Sequence, residues 1–307
     1  MEGLKINFCG RVFENPFVLP SGIITEIPDH VRAVNAGAGA ITFKSLTLEP
    51  RAGNPLPQIC KYDHGFLNSV GIKNPGIEIG IVEISRFIAA NSGVPAIVSL
   101  FAPTPEEFAQ LVEMAVTAGP DFIELNLSCP NVKNEFGAPV AENQKAVAAI
   151  VAAAKKVSGA VPVLAKLSPN VTDIAAVAHA CEAAGADGIV AINTVGPGMV
   201  IDIDKRKPFL GALSGGVSGP GIFPVAVRCV YDIYETVKIP IIGMGGVTGW
   251  RDTLEIMMAG ATLVGVGSAT YLKGMKVFTE LKDGLSGYMG VNSITDLREL
   301  VGAAHHK

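Results

Sequence analysis

Residues 104–131 read TPEEFAQLVEMAVTAGPDFIELNLSCPN, and two hydrophobic periods meet inside them. In the first half Phe108, Leu111, Val112 and Ala115 recur at spacings of three and four, which predicts a helix with one apolar face. Thr104 is placed to cap its start and Gly119 its end. In the second half DFIELNL (121–127) is almost continuously apolar, as a strand covered on both faces of a parallel sheet should be. The run then ends in NLSCPN, where Asn126 and Asn131 bracket Cys129 and Pro130. Packing alone gives no reason for that ending.

The same unit recurs on either side. FVLPS (17–21), AITFKS (40–45), PAIVSL (95–100), PVLAKLS (162–168), DGIVAINT (187–194), IPIIGM (239–244) and TLVGVGS (262–268) read as further buried strands. VTDIAAVAHACEAAG (171–185) and GWRDTLEIMMAG (249–260) read as helices, with Thr172 as an N-cap and Gly185 and Gly260 as C-caps. Eight β-then-α units predict an α/β protein built as a (β/α)8 TIM barrel. A doubly wound open sheet is the alternative, but SGIITEIPDH (21–30) after the first strand holds no GxGxxG. The length of 307 residues suits a single barrel domain over 1–307. Two connections, about 46–94 and 195–223, are too long and too rich in glycine and proline to be plain crossovers. They are expected to form loop or hairpin insertions at the C-terminal mouth.

Composition narrows the classes. Apolar residues make up 49% and charged residues 17%, enough for a large core. The formal net charge of −4 provides no basic footprint for nucleic acid. Five cysteines, at 9, 60, 129, 181 and 229, form no CxxC, so neither a disulfide framework nor a metal site is expected. The opening MEGLKINFCG lacks the pattern of a signal peptide, and no apolar run reaches about 18 residues. The reading is a reduced, cytoplasmic protein that does not enter a membrane. His305 and His306 are left out of the fold argument.

In a barrel, chemistry gathers where the strands end. The residues expected there are Ser21 and Gly22, Lys44 and Ser45, Ser99, Asn126 and Cys129, Lys166, Asn193 and Thr194, Gly245 and Gly246, and Gly267 and Ser268. Two lysines beside a core need an anionic or polar partner, so the mouth should take a ligand rich in acceptors. GMGG (243–246) and GVGS (265–268) follow the last two strands, the usual phosphate site of barrels. Each residue also has a plainer reading. Lys44 or Lys166 can snorkel at the rim, and the asparagines can cap turns. Cys9, Cys60, Cys181 and Cys229 read as small buried hydrophobes. His30 and His64 read as loop residues and His179 as a helix residue, all without chemistry. Cys129 stands apart, because it follows a strand end and opens the Asn/Gly-rich stretch 131–140, a candidate lid.

With these residues assembled, the chain resembles the dihydroorotate dehydrogenases, FMN-dependent barrels of de novo pyrimidine (UMP) biosynthesis. The likeness runs nearly end to end, through NPFVLPSG (15–22), ITFKSLTLEPRAGNPLP (41–57), FLNSVGIKNPG (66–76), ELNLSCPNV (124–132), LAKLSPNVTDI (164–174), INTVGPGMVID (192–202), GGVSGPGIFPVAVR (215–228) and IPIIGMGGV (239–247). It implies oxidation of (S)-dihydroorotate to orotate, with one FMN per chain. Ser21, Gly22, Lys44, Ser45, Asn126, Lys166 and Ile192 would hold the flavin, and Gly219, Gly245, Gly246, Gly267 and Ser268 its phosphate. Lys44, Asn68, Gly71, Ile72, Asn126, Asn131, Asn193 and Thr194 would hold the substrate. Cys129 would be the base, taking the C5 proton while C6 passes a hydride to flavin N5. A thiol of ordinary pKa about 8.5 needs help from the site to serve as that base.

The resemblance also sorts subtypes. The membrane-bound, quinone-using class has serine as base and an N-terminal extension, and this chain shows neither. Asn193-Thr194 and GGVSGPGIFPVAVR look like the NAD+-linked soluble class (class 1B) rather than the fumarate-linked homodimer (class 1A). That class implies a homodimer inside a heterotetramer, with FAD and an iron–sulfur cluster on the partner subunit. Ser99 stands where an asparagine is expected, and Phe223 where a lysine is expected. The rival readings are a sister enzyme of another dihydropyrimidine, a Schiff-base lyase with Lys166 as nucleophile, and a flavin barrel that only supports a partner.

Overall fold

The computed structural model describes residues 2–127 and 143–305. Eight strands close into a barrel: Phe17–Leu19, Ala40–Thr42, Ala96–Leu100, Phe122–Asn126, Val163–Lys166, Gly188–Ala191, Ile241–Met244 and Leu263–Gly265. Neighbours are parallel all the way round, and the first strand pairs with the eighth to close the ring. All eight expected strands are present. Ser21, Lys44, Ser45, Asn193, Thr194, Gly267 and Ser268 fall just beyond the ladders, while Ser99, Asn126 and Lys166 lie at or near their last paired residues. The strands are buried on both faces because helices cover the outside, which explains their continuous apolar pattern.

The helix Pro105–Val116 buries Phe108, Leu111, Val112 and Ala115, the four residues of its expected stripe. The Thr104 hydroxyl accepts a hydrogen bond from the Glu107 N–H at 3.2 Å, as an N-cap does. Gly119, Gly185 and Gly260 take positive φ just beyond their helices. Two expectations are corrected. The cap of the helix Ile174–Ala183 is Asp173, whose carboxylate accepts from the Ala176 N–H at 2.9 Å, and not Thr172. His30 lies in the helix Ile27–Asn35 rather than in a loop; Pro28 in its first turn marks the helix start.

The N-terminal face is plugged. A hairpin of Ile6–Phe8 and Arg11–Phe13 carries Phe8 and Phe13 against Phe122, with ring centroids 5.8 Å from it in both cases. Asp121 secures the plug, pairing with Arg11 at 2.7 Å and accepting from the Ala96 N–H at 2.8 Å.

The opposite face carries the insertions. Part of the connection 46–94 is the ordinary barrel helix Ile77–Ala90. The rest supplies a hairpin, Ile59–Tyr62 and Gly65–Asn68, while 195–223 supplies Val195–Gly198 and Gly215–Ser218. These four strands form one antiparallel sheet, in which Gly215–Ser218 pairs with Gly65–Asn68 and joins the two insertions. The insertions therefore build a shared wall above the mouth.

Candidate active site

The residues expected at the strand ends converge on that open face. Ser45, at the end of the second strand, is 1% exposed and Ser99, on the third, is fully buried. Their hydroxyls are 2.9 Å apart, Ser21 Oγ is 3.3 Å from Ser45 Oγ, and Asn126 Nδ2 donates to Ser45 Oγ at 3.2 Å. Four strands thus contribute to one hydrogen-bonded cluster, with Ser99 fixing Ser45 from below. Lys44 lies over the first strand's end: a methyl group placed on Gly22 would stand 3.7 Å from Lys44 Nζ. Lys166, 4% exposed, extends from the fifth strand, and its Nζ is 3.6 Å from Glu124 Oε1.

The sixth strand leads into Ile192, Asn193 and Thr194. The Ile192 N–H donates to the Met244 carbonyl at 2.8 Å, tying this exit to the seventh strand. Asn193 Oδ1 accepts from the Thr194 N–H at 2.8 Å. Asn170, which the sequence reading passed over, clamps the turn: Nδ2 donates to the Thr194 carbonyl and Oδ1 accepts from the Gly196 N–H. Its signal was the PN pair that begins three residues past the strand end at Lys166.

Asn68 comes from the mouth sheet, where its Nδ2 donates to the Gly216 carbonyl at 3.4 Å. A methyl group on Gly216 would lie 2.1 Å from Thr194 Oγ1, so the sheet presses directly on the sixth strand's exit. Asn68, Asn193 and Thr194 are brought together in this way. Gly71 and Ile72 follow with φ of +76° and +56°. Asn74, also missed from sequence, holds that bend by donating to the Ile72 carbonyl and to Thr47 Oγ1.

The glycines make a separate corner. Gly219, Gly245 and Gly246 all have positive φ. A methyl group on Gly246 would stand 2.6 Å from the Gly219 carbonyl oxygen and 3.0 Å from the Phe223 nitrogen; one on Gly219 would stand 2.6 Å from Gly65 Cα. The seventh strand's exit, the mouth sheet and the start of the helix Phe223–Thr236 therefore meet with no room for side chains. Gly267 and Ser268 follow the eighth strand. A helix start framed by glycine backbone suits a phosphate. The cradle and the buried lysine fit the expected FMN.

Cys129 and Asn131 lie outside the described residues. Of the other thiols, Cys60 and Cys181 are buried, while Cys9 and Cys229 are only half-buried. Burial pushes Cys9 and Cys181 up to about 12 and Cys229 up to about 11, so they stay protonated and unreactive at neutral pH. Among the described residues no group of three or more His, Cys, Asp or Glu could hold a metal ion, and no helix is long and apolar enough to cross a membrane.

The dihydroorotate dehydrogenase of Pyrococcus horikoshii, named the B (NAD(+)) catalytic subunit, is 43% identical over 302 residues, 98% of this chain and 97% of its own. The Methanosarcina acetivorans protein of the same name is 42% identical over 301 residues, 97% of this chain and 95% of its own. Among solved structures, DHODH from Eimeria tenella in complex with ferulenol superimposes with a TM-score of 0.86 at 20% identity, covering 100% of this chain and 90% of that one, a likeness of fold. The family model for dihydroorotate dehydrogenase matches residues 3–289, and the chain belongs to that family.

Proposed function

We propose that the chain, working as one FMN-binding barrel domain, oxidises (S)-dihydroorotate to orotate in de novo pyrimidine biosynthesis. The observation that carries this reading is the convergence of Lys44, Asn126, Lys166 and Asn193 on the one open face, beside the glycine cradle. Lys44 binds the substrate carboxylate. Asn68, Asn126, Asn131, Asn193 and Thr194 hydrogen-bond the substrate, helped by the backbone at Gly71 and Ile72, and so lay one face of its ring on the flavin. Ser21, Gly22, Ser45 and Ile192 line the flavin's place, and Gly219, Gly245, Gly246, Gly267 and Ser268 hold its phosphate. Cys129 removes the C5 proton. Bound FMN supplies the acceptor for the hydride leaving C6, and Lys166 stabilises the charge that builds on reduction.

The relatives' shared name supports NAD+ as the final acceptor and a separate partner subunit; the resemblance implies that this partner carries FAD and an iron–sulfur cluster. The catalytic chain then forms a homodimer within a heterotetramer. Lys166 has a task here that needs no Schiff base.

The test is anaerobic mixing of the FMN-loaded chain with dihydroorotate while the flavin's visible band is followed. The parent bleaches. Cys129→Ala keeps its flavin and bleaches at least about a hundredfold more slowly, the scale of a lost general base. A Cys129→Ala protein bleaching at the parent's rate would remove Cys129 from the mechanism, and a yellow parent that does not bleach would remove dihydroorotate as the substrate.

A further inference from the structure

The strand Phe122–Asn126 carries a charged residue inside the barrel. Side chains two apart on a strand share a face, so Glu124 lies on the same face as Phe122, against the plug, and Asn126, at the mouth. In register, Glu124 sits beside Ser99, and Asn126 beside Lys166. Glu124 is 1% exposed, and its Oε1 accepts no hydrogen bond among the described residues. Lys166 Nζ lies 3.6 Å from that oxygen, too far for a good hydrogen bond but well within reach of a strong ion pair. Filling space does not require a carboxylate here. An apolar side chain would do so without the cost of burying a charge.

We propose that Glu124 is the positioning residue for Lys166: its carboxylate holds the buried ammonium where the reduced flavin gathers negative charge. The inference rests on the FMN reading above. Without that ion pair the Lys166 ammonium is no longer held in place and stabilises an anionic ring less, although the side chain still fills the same space.

Sulfite reports on this charge without any turnover. Its lone pair forms a bond to flavin N5 and the ring takes up the negative charge, so the adduct is tight only where a cation faces the ring. Sulfite dissociation constants are measured on the flavin-loaded parent, Glu124→Gln, Lys166→Met and the double variant. Glu124→Gln is expected to weaken sulfite about tenfold, a loss comparable to that of Lys166→Met, and the double variant no further, because both act through one charge. A tenfold change is about 30 mV for a two-electron couple, so the flavin midpoint potential should fall by that much. Glu124→Asp, which keeps the charge but shortens its reach, should fall between parent and Gln, and serves if the Gln variant does not fold. Unchanged or tighter sulfite binding in Glu124→Gln overturns the proposal. So does an equal loss in the Lys166→Met background, which would mean that the carboxylate acts on its own. A parent that takes up no FMN would instead overturn the reading on which the inference rests.

Discussion

His30 shows what a single residue's surroundings can do to its chemistry. It is 1% exposed, its ring is 5.0 Å from Phe43 and 6.3 Å from Phe87, and neither ring nitrogen has a hydrogen-bond partner among the described residues. Burial pushes its pKa down to about 4, against a smaller upward pull from Asp29. The unfolded chain, at about 6.5, therefore binds more protons between those two values. Stability is complete above the unfolded pKa and is lost as pH falls towards the folded one. From pH 7 to pH 5 this residue alone should cost about 2 kcal/mol. Urea unfolding at the two pH values should show His30→Leu losing that much less than the parent, and equal losses would mean that the histidine is protonated in the fold. The residue type was visible in the sequence, but its environment was not, since Phe43 and Phe87 reach it from two other elements. Glu124 is the opposite case. Its i, i+2 relation to Asn126 already placed a charge on the inward face, and the error was to treat DFIELNL as only a buried strand.

At the scale of elements, the eight strands were legible because burial on both faces leaves a nearly continuous apolar run. Their polar ends were legible as the places where that run fails. The mouth sheet was not legible, because its central pairing joins Asn68 to Gly216 across most of the barrel. Neither segment is apolar enough alone to announce a partner. The glycines in it and packed around it are the readable trace. At Gly246, φ is +86° and the nearest backbone is 2.6 Å from an added methyl group, so Gly246→Ala must force apart the seventh strand's exit and the turn at Gly219. FMN titration of the apoprotein should show affinity falling at least about tenfold, since strain of 1–3 kcal/mol or more falls on the phosphate cradle. Gly93→Ala, where an added methyl group meets nothing within 4 Å, should bind as the parent does. Equal FMN affinity in both variants would place the phosphate elsewhere.

For the whole molecule, the question is where two electrons go once they reach the flavin. The barrel is plugged at its N-terminal face by the Phe8 and Phe13 hairpin, so a small acceptor that must touch the flavin enters through the walled mouth. An iron–sulfur cluster needs four properly spaced ligands, usually cysteines. The five cysteines here are scattered along the sequence, and Cys9, Cys60, Cys181 and Cys229 belong to the hairpin plug, the mouth sheet and two different outer helices. The relay to NAD+ in the proposed assembly must then come from another polypeptide. The chain alone, loaded with FMN and given dihydroorotate and NAD+ without oxygen, is expected to bleach its flavin once and produce NADH at no more than a trace rate. Adding the FAD and iron–sulfur subunit should restore continuous NADH formation, followed at its near-ultraviolet band. Fast NADH production by the chain alone would show that nicotinamide enters the mouth directly and that the partner is not the route. Fast turnover with fumarate in place of NAD+, again by the chain alone, would move the protein to the fumarate-linked class despite its relatives' shared name.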